Sequence, residues 1–134
     1  MVVNIKRKKS IEHTEQVKLV QRVRAFYPDT IIAAIPNGGD RTASERVRLH
    51  QEGVLAGMPD LCVLEAFGGF HGLFIELKSE TARVFLKKSG APDGKHVAKQ
   101  IAVLEALRER GYKAELCVGF DAAKKVINDY FSLL

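Results

Sequence analysis

The chain of 134 residues is 46% hydrophobic and 28% charged, which suits one globular domain, residues 1–134, with a modest core. Its net charge of +5 and pI near 9.3 point to a polyanionic partner. No apolar run approaches the roughly 18 residues of a membrane span, and the basic start lacks the apolar stretch of a secretory signal, so a cytoplasmic protein without membrane contact is expected.

Residues 1–10 carry Lys6, Arg7, Lys8 and Lys9 and read as a basic tail, either solvated or touching phosphates. Ser10 or Thr14 can cap a helix of about 12–27, in which Val17, Val20, Val23 and Phe26/Tyr27 recur at helical spacing. Glu15 falls in its first turn, where the helix dipole favours a surface acid. Pro28-Asp29 ends the helix, and residues 30–35 follow as a strand candidate. Residues 36–40 form a loop by composition; Asn37 and Arg41 there either reach a phosphate or shape the turn. A short polar helix over 43–51 stops at Gly53.

Residues 60–66 make a second strand, whose unbroken apolar run predicts burial on both faces. Residues 72–78 make a third. Cys62 and Cys117 lie in apolar runs without short spacing and read as reduced core thiols. Residues 79–96 are polar, turn-rich and basic, with Arg83, Lys87, Lys88 and Lys95, and read as a long flexible loop. The helix over 97–110, with Gln100 in its first turn, ends at Gly111. Ile101, Leu104 and Leu107 with Ala98 and Ala102 form its apolar side. A fourth strand covers 114–118, and Asp121 caps a last helix of 122–132 with Val126, Ile127 and Tyr130 inward. The order α-β-α-β-β-α-β-α suits an α/β fold, a mixed sheet flanked by helices. Its second and third strands pair antiparallel, and the fourth, after a helical crossover, can run parallel to the third.

The chemistry concentrates in Gly57-Met-Pro-Asp60 and Phe74-Ile-Glu76-Leu-Lys78, joined by the turn Phe67-Gly-Gly-Phe-His-Gly72. A hairpin centred on Gly68 sets Asp60 opposite Glu76; one centred on Gly69 sets Asp60 opposite Lys78. Glu76 and Lys78 share a strand face. A carboxylate and an ammonium in an apolar strand need a partner, either each other at a strand end or a bound cation. Two carboxylates and a backbone carbonyl make an oxygen-only site, which suits Mg2+ or Mn2+ better than zinc. The four histidines are scattered, without zinc spacing. A hard cation, an oriented water and a lysine that stabilises charge or accepts a proton are the parts that phosphodiester hydrolysis needs.

Asp60…Glu76-Leu-Lys78 resembles the motif of the PD-(D/E)XK nuclease superfamily. With Pro36-Asn-Gly-Gly and Arg41, Glu52-Gly-Val-Leu-Ala-Gly-Met-Pro-Asp-Leu61, Leu73-Phe-Ile-Glu-Leu-Lys78, Gln100 and Leu107…Gly111-Tyr112 in that order, residues 12–131 resemble the VRR-NUC (virus-type replication-repair nuclease) domain. The resemblance implies a restriction-endonuclease-like sheet. It implies Mg2+ or Mn2+ on Asp60, Glu76 and the carbonyl of Leu77, with Lys78 as the motif lysine. Glu15 would join directly or through water, and Gln100 would line the site. It further implies a stand-alone, bacterial or phage-encoded DNA endonuclease, a homodimer like Holliday-junction resolvases, selective for branched DNA in replication, repair or recombination. Asn37, Arg41, Lys87 and Lys88 are the candidate DNA contacts. A restriction-type or nicking nuclease, or a catalytically silent DNA-binding module, are the alternatives. Members often carry a serine three residues before the glutamine, where this chain has Val97, and a shorter connection from the lysine. Residues 79–96 are therefore expected to be an inserted mobile flap over the DNA groove.

Overall fold

In the computed structural model, residues 5–36 and 41–134 are described, with side chains from Ile11 onward. The elements are α1 (Ile5–Phe26), β1 (Ile32–Ala34), α2 (Ala43–Gln51), β2 (Leu61–Val63), β3 (Leu73–Lys78), α3 (Lys95–Glu109), β4 (Lys113–Val118) and α4 (Phe120–Phe131). Their order is the expected one. Among the described residues, no helix is long and apolar enough to cross a membrane.

The four strands form one sheet in the order β1-β2-β3-β4, antiparallel except for the parallel pair β3–β4. That parallel pair needs the crossover that α3 supplies. Register decides which side chains share a face. Leu61 pairs with Ile75 and Val63 with Leu73, which is the hairpin centred on Gly68. Both turn glycines have positive φ, 59° at Gly68 and 85° at Gly69, a region that side chains with a Cβ disfavour.

On one sheet face, Leu73, Ile75 and Leu77 join Leu61, Val63 and Cys117 in a core closed by Leu19 and Val23 of α1 and Ala123, Ile127, Tyr130 and Phe131 of α4. Tyr27 stacks on Phe131 with ring centroids 3.9 Å apart. The Tyr130 hydroxyl donates to the Glu65 carbonyl and accepts from the Phe67 N–H, tying the hairpin loop to α4. The other face carries Phe74, Glu76 and Lys78 and receives α3 through Val97, Gln100 and Leu104. Both cysteines are free and buried, as expected, and burial pushes the Cys117 thiol up to about 12.

Several local expectations change. Helix α1 begins at Ile5 rather than near residue 12. Lysine, arginine and glutamate are strong helix formers, and no Gly or Pro interrupts this stretch, so neither Ser10 nor Thr14 is a cap. Glu15 consequently lies mid-helix. The buried stripe of α1 runs through Leu19 and Val23, flanked by Val20 and Tyr27, whereas Val17 and Phe26 are exposed. Ala98 and Ala102 of α3 face solvent. Helix α3 starts at Lys95, which places Gln100 in its second turn. Gly119, not Asp121, is the N-cap of α4, and Asp121 sits in the first turn.

Helices α2 and α3 end alike. The N–H of Gly53 reaches His50 O and that of Val54 reaches Leu49 O; the N–H of Gly111 reaches Arg108 O and that of Tyr112 reaches Leu107 O. This is the Schellman pattern, with glycine at positive φ. A Cβ on Gly111 would also lie 2.7 Å from the His71 ring. Gly111→Ala is therefore expected to lower unfolding free energy by about 1–2 kcal/mol or more. Urea denaturation measures this, and an unchanged midpoint would contradict the close packing of this turn.

Candidate active site

The site begins at the open end of the β2–β3 pair. The Ile35 N–H donates to the Asp60 carbonyl at 2.8 Å, so the main chain of residue 60 faces β1. Main-chain groups alternate along a strand, so residues 59 and 61 face β3. One step beyond the Leu61–Ile75 pair, the register sets Asp60 opposite Glu76; a further step sets Pro59 opposite Leu77. Proline has no N–H to give the Leu77 carbonyl. The ladder stops here, and the Leu77 N–H donates instead to Asp60 Oδ2 at 2.7 Å. Two carboxylates and a main-chain carbonyl without a ladder donor thus meet at one strand end. Gly57, at φ 90°, lets the preceding loop approach the Lys99 backbone on α3.

Glu76 is only 3% exposed. Its Oε1 accepts from Gln100 Nε2 at 2.7 Å and lies 3.5 Å from Lys78 Nζ. Its Oε2 is buried with no hydrogen-bond partner among the described residues, as is Gln100 Oε1. Burial first, and the Asp60 charge second, push the Glu76 carboxyl up to about 8. Burial also raises Asp60, against the lowering effects of the Leu77 N–H, Lys78 and His96. Two acids are thus held together where water stabilises neither well, an arrangement that a divalent cation relieves.

The remaining candidates are placed as follows. Burial first, then the Glu80 and Glu12 charges, raise the Glu15 carboxyl against the lowering effect of Lys18. Glu12 Oε1 accepts from the Ser79 N–H at 3.3 Å. Glu15 thus borders the exit of β3, and its Oε2 is buried with no hydrogen-bond partner among the described residues. Among the described residues no three His, Cys, Asp or Glu side chains form a metal-binding group. The structure brings the oxygens of Asp60, Glu76 and the Leu77 carbonyl to one strand end. Arg41 is half-buried just before Thr42, the cap of α2. Asn37 lies outside the described residues. Lys87 and Lys88 are exposed on the segment between Lys78 and α3.

Two neighbours were not singled out from sequence. His96 lies four residues before Gln100 on α3, so the two share a helix face, and its charge acts on Asp60. Spacing gave no signal for it, because the contact depends on how α3 crosses β3. Ser79, fully buried, anchors the strand exit to Glu12 and to Thr81; its position directly after the motif lysine was the available signal.

The VRR-NUC domain family matches residues 3–121, nearly the whole chain. The chain belongs to the VRR-NUC family. A solved structure described as a VRR_NUC domain protein is similar to it, with 26% identity, a TM-score of 0.66, and coverage of 92% of this chain and 89% of that one. Comparison with curated proteins gives no match. VRR-NUC domains are nuclease domains, so the general activity of this chain is that of a nuclease, on an α/β fold of the expected class.

One consequence of the buried acids is measurable without substrate. A carboxyl with an ordinary value of 4.5 that rises to about 8 on folding binds more protons folded than unfolded between those limits. Stability of the metal-free protein is therefore expected to fall as pH rises through this window. Glu76→Gln should flatten that slope and be the more stable protein at pH 8. Parallel denaturation curves of the two proteins across the window would contradict the assigned burial.

Proposed function

We propose that this VRR-NUC domain is a DNA endonuclease that hydrolyses phosphodiester bonds with Mg2+ or Mn2+ held by Asp60, Glu76 and the Leu77 carbonyl. The observation that supports this most is the buried, unpartnered Glu76 Oε2 opposite Asp60, beside a carbonyl from which Pro59 withholds a donor. The residues present fit a hard cation: every donor is oxygen and two carry charge. When bound, such a cation polarises a phosphoryl oxygen and lowers the pKa of an attacking water.

The chain's own residues supply the rest. Lys78, with its side chain 12% exposed and its Nζ 3.5 Å from Glu76, holds the water or the charge that develops on the phosphorus oxygens. Gln100 fixes one Glu76 oxygen and leaves the other for the cation. Glu15 approaches from α1 and joins through water. Lys87, Lys88, Arg41 and Asn37 contact backbone phosphates, where cationic side chains provide affinity without sequence readout. The segment between Lys78 and α3, residues 79–94, closes over the bound DNA. We place the enzyme as a homodimer that cuts branched DNA in replication, repair or recombination, since a two-fold axis presents two sites to two strands.

The test is cleavage of supercoiled plasmid and of a synthetic four-way junction under a Mg2+ or Mn2+ titration. The parent should cut both, the junction faster, and EDTA should stop it. Asp60→Asn and Lys78→Ala should each lower the rate by roughly 10²-fold or more. Gln100→Ala acts through Glu76, so it should instead raise the Mg2+ concentration needed for half-maximal rate by about 10–100-fold. No cleavage with any divalent ion would reject the enzyme reading; full rates from Asp60→Asn and Lys78→Ala would reject the site.

A further inference from the structure

Residues 84–93 form a small hairpin of their own. The Leu86 N–H reaches Ala91 O and the Asp93 N–H reaches Val84 O, both at 2.8 Å; Gly90 N–H returns to Leu86 O, and Phe85 bridges Pro92. Arg83 Nε lies 3.7 Å from Asp93 Oδ2 across its base. Val84 is buried and anchors it. The segment that carries it runs from Ser79, directly after Lys78, to Gly94, the N-cap of α3, the helix that carries His96 and Gln100.

The hairpin's first arm is apolar where solvent would favour polar groups, and leads into a cationic turn. Phe85 is 50% exposed and Leu86 39%, and they are followed directly by the exposed Lys87 and Lys88. An aromatic ring flanked by cations fits one class of partner better than a protein groove does: the ring stacks on a base while the ammonium groups pair with phosphates. Bases inside a regular duplex offer no open face. A base at a branch point or a single-strand boundary does, and apolar wedges are what DNA-kinking proteins insert between bases.

We propose that Phe85 is a base-stacking wedge that selects DNA with an unpaired or unstacked base beside the scissile phosphate. This rests on the nuclease reading above. It adds to that reading the feature of DNA that is recognised and the residue that recognises it. The segment that carries the hairpin joins Lys78 of β3 to α3, the helix of Gln100, so in this proposal a base held by Phe85 directs its neighbouring phosphates toward the acids.

The full chain contains no tryptophan, so Phe85→Trp places a single indole in the hairpin's first arm, opposite Pro92. In EDTA, a branched oligonucleotide should quench this indole strongly and the matched linear duplex only weakly. Fluorescence anisotropy with labelled DNA, also in EDTA, should show the parent and Phe85→Trp binding the branched form about tenfold more tightly than the duplex. Phe85→Ala should reduce that ratio to below about twofold, whereas Lys87→Ala/Lys88→Ala should weaken both forms together and leave the ratio standing. Equal quenching by the two DNAs, or an unchanged ratio in Phe85→Ala, overturns the wedge while leaving the nuclease reading intact. A parent that binds neither DNA overturns both.

Discussion

The structure depends on one awkward pairing: Asp60 and Glu76 held face to face at the end of an antiparallel ladder, largely away from water. Two like charges in a poorly solvated place raise each other's proton affinity. A fold selected for stability alone would not retain them. Here the chain fixes them with care. Pro59 ends the ladder, so that Leu77 gives its N–H to one acid and leaves its carbonyl without a ladder donor. Gln100 and Lys78 share one oxygen of the other acid and leave its second oxygen bare.

The rest of the architecture can be understood as support for that pairing. The α1/α4 face supplies an apolar core for Leu73, Ile75 and Leu77, which holds β3 straight and in register. Alternation then delivers Glu76 and Lys78 to the opposite face, under α3. Helix α3 is both the crossover that the parallel β3–β4 pair demands and the carrier of Gln100. One element thus meets a topological requirement and a chemical one. The segment that carries the hairpin of residues 84–93 joins the same two elements, β3 and α3.

Much of this was legible in the chain. The element order, the antiparallel hairpin, the parallel return of β4 and the convergence of Asp60, Glu76 and Lys78 follow from apolar periodicity and turn glycines. The start of α1 was not legible, since a cap-like residue such as Ser10 does not end a helix when strong helix formers continue on both sides. The buried stripe of that helix keeps Val23, with Val20 and Tyr27 beside it, but gains Leu19 and loses Val17 and Phe26, because valine and phenylalanine mark apolar positions without fixing the helix's rotation. Glu15 was expected in a first turn beside the acids and lies mid-helix next to Glu12 and Glu80.

By itself, the sequence determined the family, the α/β class and the identity of the acids and the lysine, because those are properties of local pattern and spacing. It left two registers open for the hairpin, one facing Asp60 to Glu76 and the other to Lys78. Only the tertiary structure chose between them. The two differ by a slip of two residues, which keeps every side chain on its face, so burial of Leu73, Ile75 and Leu77 alone does not decide; the pairing of Leu61 with Ile75 and of Val63 with Leu73 does. The same packing decides how α3 lies across β3, and so brings Gln100, distant in sequence, onto Glu76 and His96 within electrostatic reach of Asp60.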